Sequence, residues 1–409
     1  MRRVKPYVYV GTFVLALGIG FGFLNPLTQA DPRKSANPPS FRVDPFWPKP
    51  LPDNWVTGEV AGTCIDSNDH VFIVTRGFQT GGLASPEGVA GQPVKSRASP
   101  PVIEFDRAGN VVNAWGDPAL NTVPQGTLAA GTNEVLPNGI HGCFVDYQDN
   151  VWIGGNGDGV VQKYTHDGHF LLQIGIKGEC DWPANGNKCG NSGADPSANQ
   201  SKTRLNQPAD IAVDPSNGDV YIADGYGNHR IVVFDKNGKW LRQWGSPGAG
   251  PGQFMAAGSG HPHCVVLSKD NLVYACDRGQ DRIQVFDKLG NLKQIIPVIP
   301  GTGTPGLGTA GSAWDLDFSP DKHQKFMFEV DGGNEVLWTF NRALGKILSG
   351  FGRPGHMAGD FTFLHTVSVD SKGDLYTGET VGGRRIQKFI KCEDDDDDSG
   401  NGRGNGNCK

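Results

Sequence analysis

One short pattern recurs six times along this chain and constrains its fold more than any other feature of the sequence. Each copy is an apolar segment that ends in Phe or Tyr, and two shorter apolar segments precede it. The six copies are VIEF (102–105), VVQKY (160–164), RIVVF (230–234), RIQVF (282–286), VLWTF (336–340) and RIQKF (385–389). Four antiparallel strands in a repeat of roughly fifty residues form one blade of a β-propeller. The chain is therefore predicted to be an all-β, six-bladed propeller over residues 41–391.

The last repeat is incomplete, and another segment is available to complete it. The acidic run EDDDDD (393–398) follows the sixth copy almost at once and leaves it without a fourth strand. The segment FRVDPFW (41–47) precedes the first blade and has no repeat of its own. We predict that it supplies the missing strand and closes the ring, which removes exposed sheet edges that promote aggregation. Two insertions, at about 77–101 and 177–202, are predicted to be loops over one face of the disc.

The charge distribution narrows the choice of partners. The formal net charge is −6, and the run 393–398 alone carries six negative charges. The rest of the chain is therefore close to neutral and offers no basic face, so nucleic acid is not expected as a partner. The tail at 392–409 has no apolar segment to bury and is predicted to be a disordered, solubilising extension.

The N-terminal segment indicates export. Arg2, Arg3 and Lys5 precede an apolar run at 7–24, and the segment LTQA (27–30) then ends in a small residue suited to signal peptidase. This order is typical of a signal peptide over residues 1–30. The run is also long enough for an uncleaved membrane anchor, and contact with a membrane is expected only in that case. Either alternative places the main domain outside the cytoplasm, in a secreted or periplasmic location.

All eight cysteines follow this segment, and an even number in an oxidising compartment suggests disulfides. Cys180 and Cys189 would close one short loop, and Cys264 and Cys276 flank a hairpin turn. A third predicted pair, Cys392 with Cys408, would close the acidic tail. No C-x-x-C spacing occurs, which argues against a zinc–thiolate site.

Three of the ten histidines occupy equivalent positions in their repeats. His141, His263 and His365 each lie at the start of the innermost strand, in the second, fourth and sixth blades. Alternate blades of a six-fold ring direct three side chains to one axis, and three imidazoles with an open fourth position suit a catalytic zinc. The corresponding positions in the odd blades hold no ligand and are approximately Ala61, Ala209 and Trp314. The alternative is that backbone groups or water satisfy these histidines without a metal.

The other seven histidines lie mostly at predicted turns and are expected at the surface. They are His70, His166, His169, His229, His261, His323 and His356.

The repeats resemble NHL repeats, most plainly over residues 207–245. Together with the three histidines, the chain is similar to the peptidyl-α-hydroxyglycine α-amidating lyase family over roughly residues 55–390. That resemblance implies a six-bladed propeller with zinc on His141, His263 and His365 in its central channel. It also implies two active-site arginines, Arg76 in the segment 58–77 and Arg278 in the segment 276–286. The segment 223–234 matches the one that carries the family's catalytic tyrosine, which would be Tyr226.

The resemblance implies an exported zinc-dependent lyase that acts on a small-molecule or peptide substrate. Zinc would activate the substrate hydroxyl, Tyr226 would act as the base, and Arg76 and Arg278 would hold a carboxylate. Cleavage of an N–C bond would then give an amide and glyoxylate.

Two departures from the family pattern affect this expectation. Thr366 stands where the family has an aspartate that serves a structural calcium, which argues against calcium here. Gly227 replaces a cysteine beside the catalytic tyrosine. The sequence also shows no monooxygenase segment that would generate a hydroxyglycine substrate.

Two other functions remain open from the sequence. The chain could be a non-catalytic exported propeller that binds a protein or a glycan, with Tyr226 as a packing aromatic and the two arginines in salt bridges between blades. It could also be a calcium-dependent hydrolase of the lactonase type. That class needs carboxylates in the channel, whereas the first strands here begin with His or Ala, which counts against it.

Overall fold

The structure is a computed structural model that describes residues 37–76, 97–116, 136–182, 189–195, 197–258, 260–303 and 310–392. Its residues form six four-stranded antiparallel sheets and one short two-stranded pairing. The first strands are β3 (Val60–Ile65), β8 (Ile140–Val145), β12 (Asp210–Val213), β16 (Val265–Leu267), β20 (Asp315–Phe318) and β24 (Leu364–Val369). The second strands are β4 (Val71–Thr75), β9 (Val151–Gly155), β13 (Val220–Asp224), β17 (Leu272–Asp277), β21 (Phe326–Asp331) and β25 (Leu375–Glu379).

The outer half of each blade follows the same order. The third strands are β6 (Val102–Phe105), β10 (Val160–Tyr164), β14 (Arg230–Phe234), β18 (Arg282–Asp287), β22 (Val336–Asn341) and β26 (Arg385–Lys391). The fourth strands are β7 (Val111–Trp115), β11 (Phe170–Gly175), β15 (Trp240–Trp244), β19 (Leu292–Pro297), β23 (Lys346–Phe351) and, for blade 6, β1 (Phe41–Asp44). Outside the blades, β2 (Trp55–Val56) pairs in parallel with β5 (Arg97–Ala98), and two 3₁₀ turns span Pro52–Asn54 and Arg278–Gln280. The predicted all-β, six-bladed propeller is confirmed.

The turn between the third and fourth strands explains the repeated signature. In blade 3, the carboxylate of Asp235 accepts hydrogen bonds from the backbone N–H groups of Asn237 and Lys239. Gly238 takes a φ of 80°, which only glycine adopts without strain. The strand register shifts by one residue at Phe234, the aromatic that ends the signature. The extra residue of this bulge lies on β15, between Trp240 and Arg242, and the side chain of Phe234 on the partner strand is buried.

Ring closure occurs as predicted. Strand β1 pairs antiparallel with β26, with Phe41 opposite Lys391 and Asp44 opposite Lys388. The Phe41 ring lies 5.5 Å from the ring of Phe328 in blade 5. The first segment therefore completes blade 6 and also packs against the blade before it.

The hydrophobic core is divided among the interfaces between blades. Six clusters of buried side chains are found in the described residues, and each draws its members from two adjacent blades. The cluster between blades 6 and 1 contains Trp47, whose ring centroid lies 5.5 Å from that of Phe105 and 5.0 Å from that of Tyr376. Each blade thus depends on both neighbours for its stability.

The disulfides agree with the sequence in part. Cys180–Cys189 and Cys264–Cys276 are bonded as predicted. Cys64–Cys143, which the sequence did not reveal, joins the first strands of blades 1 and 2 across 79 residues. Cys392 is also disulfide-bonded, but its predicted partner at position 408 lies outside the described residues. Disulfides are typical of proteins outside the cytoplasm.

Several expectations fall on parts of the chain that the structure does not describe. They concern the N-terminal segment at 1–30, most of the first insertion and the acidic tail after Cys392. Within the described ranges, no helix has the length and apolar character needed to span a membrane.

Removing residues 37–47 should lower the stability of the propeller, because blade 6 would lose its fourth strand and expose the edge of β26. Trp47→Ala alone should cost about 3–5 kcal/mol, the usual effect of deleting a buried Trp side chain. Phe46→Ala is the matched control, since Phe46 is 75% exposed. Thermal and denaturant unfolding would measure all three, and unchanged stability after the deletion would contradict closure by this segment.

Candidate metal centre and active site

Three histidines converge on the propeller axis. His141 and His365 are the second residues of β8 and β24, and His263 lies two residues before β16. The ring centroids of His141 and His263 are 4.9 Å apart, those of His141 and His365 are 4.6 Å apart, and those of His263 and His365 are 5.1 Å apart. One nitrogen from each ring lies within 4.8 Å of the other two. All three side chains are buried.

Backbone carbonyls of the odd blades orient these imidazoles. Nδ1 of His141 lies 2.7 Å from the carbonyl oxygen of Ala209, and Nδ1 of His263 lies 2.7 Å from that of Trp314. The carbonyl of Ala61 faces His365 in the same way, though its Nδ1 does not reach hydrogen-bonding geometry. A carbonyl can only accept, so each bonded Nδ1 carries the proton and the Nε2 of the same ring is an acceptor. A hydrogen bond from the second ring nitrogen to a backbone carbonyl is typical of metal-ligating histidine.

The protonation state of the group also suits a metal. Burial lowers the pKa of His141 and His263 well below the usual value, and it lowers that of His365 to about 3. The positive charge of Arg278 lowers the pKa of all three, and that of Arg76 lowers the pKa of His141 and His365. A metal ion binds the neutral imidazole. Three nitrogen donors favour a transition metal, whereas calcium and magnesium prefer oxygen ligands.

Tyr226 lies beside the ring nitrogens of two of these histidines. It follows β13, and its hydroxyl is 2.9 Å from Nε2 of His141 and 3.2 Å from Nε2 of His263. Side chains at the flanking glycines would collide with the carbonyl of Pro262 and with the side chain of Asn206. Glycine on both sides therefore allows the loop to approach its neighbours closely enough to bring the phenol to the axis.

Arg278 lies near Tyr226, on the 3₁₀ turn after β17. The end of the channel where Arg76, Tyr226 and Arg278 lie is called the mouth below. Its guanidinium carbon is 4.4 Å from the ring centroid of Trp314 and 5.6 Å from that of Tyr226. Stacking of this kind holds the planar cation in a fixed orientation. The N–H of Gly279 donates to Nδ1 of His261, and this hydrogen bond helps to hold the turn in place. The sequence predicted Arg278 here but gave no indication that Trp314 supports it.

Arg76 approaches from blade 1. Its Nε donates to the carbonyl of Ile140 at 2.7 Å, and its Nη1 forms an ion pair with Glu59 at 3.1 Å. Its Nη2 is buried and has no hydrogen-bond partner in the described part of the chain. Glu59 also accepts a hydrogen bond from Thr380 of blade 6. Arg76 is thus held firmly at two nitrogens, which leaves the third for a ligand.

A cavity of about 410 Å³ runs along the axis on the other side of the histidines. The carboxylates of Asp210, Asp315 and Asp317 line it, and burial raises the pKa of Asp315 to about 6 and that of Asp317 to about 7. Each accepts a backbone hydrogen bond from the following blade. The hydroxyl of Thr366 donates to Asp315 at 2.8 Å. Carboxylates are therefore present in the channel, whereas the sequence had indicated only His and Ala at the starts of the first strands.

The expectation for the remaining histidines is wrong at two positions. His229 and His261 are buried, not at the surface. His261 lies under the Arg278 turn, and His229 is enclosed near the loop that carries Tyr226. The second insertion reaches the same loop, because the N–H of Ser192 donates to the carbonyl of Gly227 at 2.9 Å.

Comparison with known proteins gives the context for this site. The family model described as NHL repeat matches residues 205–234, which include most of blade 3. NHL repeat-containing protein 3 of Mus musculus is 26% identical over 373 residues, covering 86% of this chain and 84% of that protein. Peptidyl-glycine alpha-amidating monooxygenase of Mus musculus is 44% identical over 185 residues, covering 42% of this chain and only 17% of that protein.

A third relative is peptidyl-alpha-hydroxyglycine alpha-amidating lyase 1 of Drosophila melanogaster. It is 24% identical over 340 residues, and the match covers 70% of this chain and 56% of that protein. The chain is thus a six-bladed propeller with an NHL-repeat match in blade 3, and it is similar at modest identity to proteins named as amidating lyases.

His263→Ala should remove one bound divalent metal ion per chain and leave the propeller folded, because the blade clusters do not include that side chain. His169→Ala is the matched control, since this histidine lies on an exposed turn. Elemental analysis of both purified proteins, with circular dichroism to verify folding, would measure the difference. Equal metal content in the two variants would contradict a metal centre at the axis.

Proposed function

We propose that this protein is an exported, zinc-dependent lyase that cleaves the N–C bond of an α-hydroxyglycine-type substrate. The observation that carries the proposal is the position of the Tyr226 hydroxyl, within hydrogen-bonding distance of Nε2 of both His141 and His263. A tyrosine that only packed against its neighbours would not need its hydroxyl at this point. The names of the amidating relatives support the same reaction class, and the disulfides support export.

His141, His263 and His365 would hold the metal. Three histidines with an open fourth position are the ligand set of several catalytic zinc sites, which is the reason for choosing zinc. When bound, zinc would supply Lewis-acid activation of the substrate hydroxyl.

Tyr226 would move the proton. As its phenolate, it would take the proton from the substrate hydroxyl as the carbon–oxygen bond gains double-bond character and the carbon–nitrogen bond breaks. The same proton then passes to the nitrogen that leaves, so the products are an amide and glyoxylate and no other reactant is consumed. The phenol is held beside the reaction centre by the glycines on either side of it.

Arg76 and Arg278 would select and orient the substrate. The three imidazoles are neutral, and the two guanidinium groups bring positive charge to the mouth. Glu59 pairs with Arg76 and also lies 4.0 Å from the guanidinium of Arg384. A substrate with a carboxylate next to the reacting carbon fits this balance. Nη2 of Arg76 supplies a buried donor for that carboxylate, and orientation by such contacts is a large part of catalysis.

Glyoxylate should be released from a peptide that ends in α-hydroxyglycine, and a chelator should abolish the release. Tyr226→Phe should slow turnover about 10²–10⁴-fold, the usual contribution of a positioned base, without loss of metal. Tyr147→Phe is the matched control, because Tyr147 is exposed and lies beyond the end of β8 opposite His141. A metal-loaded protein that releases no glyoxylate would contradict the lyase and favour a propeller that binds a protein or glycan.

The role of Arg76 has a separate test that uses the substrate as well as the enzyme. Arg76→Ala should reduce kcat/KM about 10–100-fold, as expected for loss of a hydrogen bond to a charged group. Converting the substrate carboxylate to its methyl ester should cost the wild type a similar factor. The two changes together should then cost much less than their product, because both remove one interaction. Additive losses would contradict contact between Arg76 and the carboxylate, and Arg353→Ala serves as the surface control.

A further inference from the structure

A second group of metal-ligating side chains lies between blades 1 and 2, separate from the three central histidines. Asp66 follows β3, and His70 ends the turn that leads into β4. Glu104 lies in β6, and His166 follows β10 of the next blade. The turns that carry Asp66 and His166 are at the end of the blades opposite the three central histidines.

The donor atoms of these residues lie close together. Nε2 of His166 is 3.2 Å from Oδ2 of Asp66 and 3.4 Å from Oε1 of Glu104. Asp66, Glu104 and His166 each present one ligand atom within 4.8 Å of the other two. Nδ1 of His70 is 2.6 Å from Oε1 of Glu104. Tetrahedral zinc, with bonds of ~2.0–2.1 Å, would place its donors about 3.3 Å apart, close to the two separations at His166.

The two carboxylates of the group are buried, whereas its two imidazoles are partly exposed. The carboxylate side chains of Asp66 and Glu104 are 0% and 3% exposed, whereas the side chains of His70 and His166 are 31% and 38% exposed. An ion could therefore enter from solvent past the imidazoles and reach the carboxylates.

One atom in the group lacks a partner. Oε2 of Glu104 is buried and accepts no hydrogen bond from the described residues, although the other oxygen of the same carboxylate faces both imidazoles. Buried carboxylate oxygens are almost always paired, because leaving one unpaired is costly. A cation bound at this carboxylate would provide the missing compensation.

The remaining contacts hold the group in a fixed arrangement. Oδ1 of Asp66 accepts the backbone N–H groups of Asn68 and His70, which turns Oδ2 toward His166. The ring of His166 packs edge-on against Phe72, with centroids 5.0 Å apart. The ligand set therefore needs little reorganisation to bind.

We propose that Asp66, Glu104 and His166 form a second metal site, which binds a divalent transition ion such as Zn²⁺ and joins blades 1 and 2. His70 hydrogen-bonds Glu104 and positions it. Mixed imidazole and carboxylate donors favour zinc and its neighbours over calcium, which takes more oxygen ligands. The bound ion would connect the two blades that Cys64–Cys143 also joins.

The test uses the full chain with the central site disabled. In the His263→Ala protein, titration with Zn²⁺ should show one bound ion per chain, and the melting temperature should rise with Zn²⁺. Adding His166→Ala should abolish both effects. Adding His169→Ala should leave both intact, which makes it a control on the same turn, three residues away. Adding His70→Ala should keep the stoichiometry and weaken binding about 10–100-fold, as expected for a residue that orients a ligand.

Glu104→Gln provides a second variant of the same size, in case loss of the imidazole disturbs folding. It should also prevent binding in the His263→Ala background. A folded His263→Ala protein that binds no Zn²⁺ at millimolar concentration would overturn the proposal, as would binding that survives both His166→Ala and Glu104→Gln. Glyoxylate release by the single His166→Ala variant tests the central site separately, so failure of one site does not decide the other.

Discussion

The antiparallel pairing of β1 with β26 connects the two ends of the ring, and the arrangement of all six blades depends on it. A blade carries apolar side chains on both of its faces, so it is stable only when a neighbouring blade covers each face. The clusters on either side of blade 6 include Phe41, Val43 and Trp47 of the closing segment. Closure also fixes the first strands around one axis. Ring closure at the outer edge of blade 6 is therefore needed for the three central histidines to converge, in addition to the strands that carry them.

Even and odd blades contribute different groups to the one channel. The even blades provide the imidazoles, whereas the odd blades provide the carbonyls of Ala209 and Trp314 that orient two of them. One residue later, Asp210 and Asp315 direct carboxylates into the cavity beyond the histidines. A backbone with six similar repeats thereby produces a centre with three nitrogen donors, with cations on one side and carboxylic acids on the other. Burial raises the pKa of Asp210 and of Asp315, which favours the neutral form of each acid.

The repeats and the central site could be predicted from the sequence because both are periodic. The third-strand signature marks every blade, and the histidines recur at one position within the repeat. Contacts between blades are not periodic and could not be found in this way. The disulfide Cys64–Cys143 joins residues 79 apart, and the stacking of Arg278 on Trp314 depends on how two blades meet. The pair Asp66 and His166 is similar, since its members lie on different blades. The burial of His229 and His261 was missed because their turns are covered by neighbouring loops.

The two ends of the described chain meet on one side of the disc. The N–H of Cys392 donates to the carbonyl of Ser40, and that of Lys391 donates to Asp374, which lies beyond the far end of the strand that begins with Leu364 and His365. Both ends therefore lie on the side away from the mouth that Arg76, Tyr226 and Arg278 surround. A protein fused at either end, or a resin or cell surface to which the chain was tethered there, would leave that mouth facing the surrounding solution. Large peptides could then reach it without passing the attachment point.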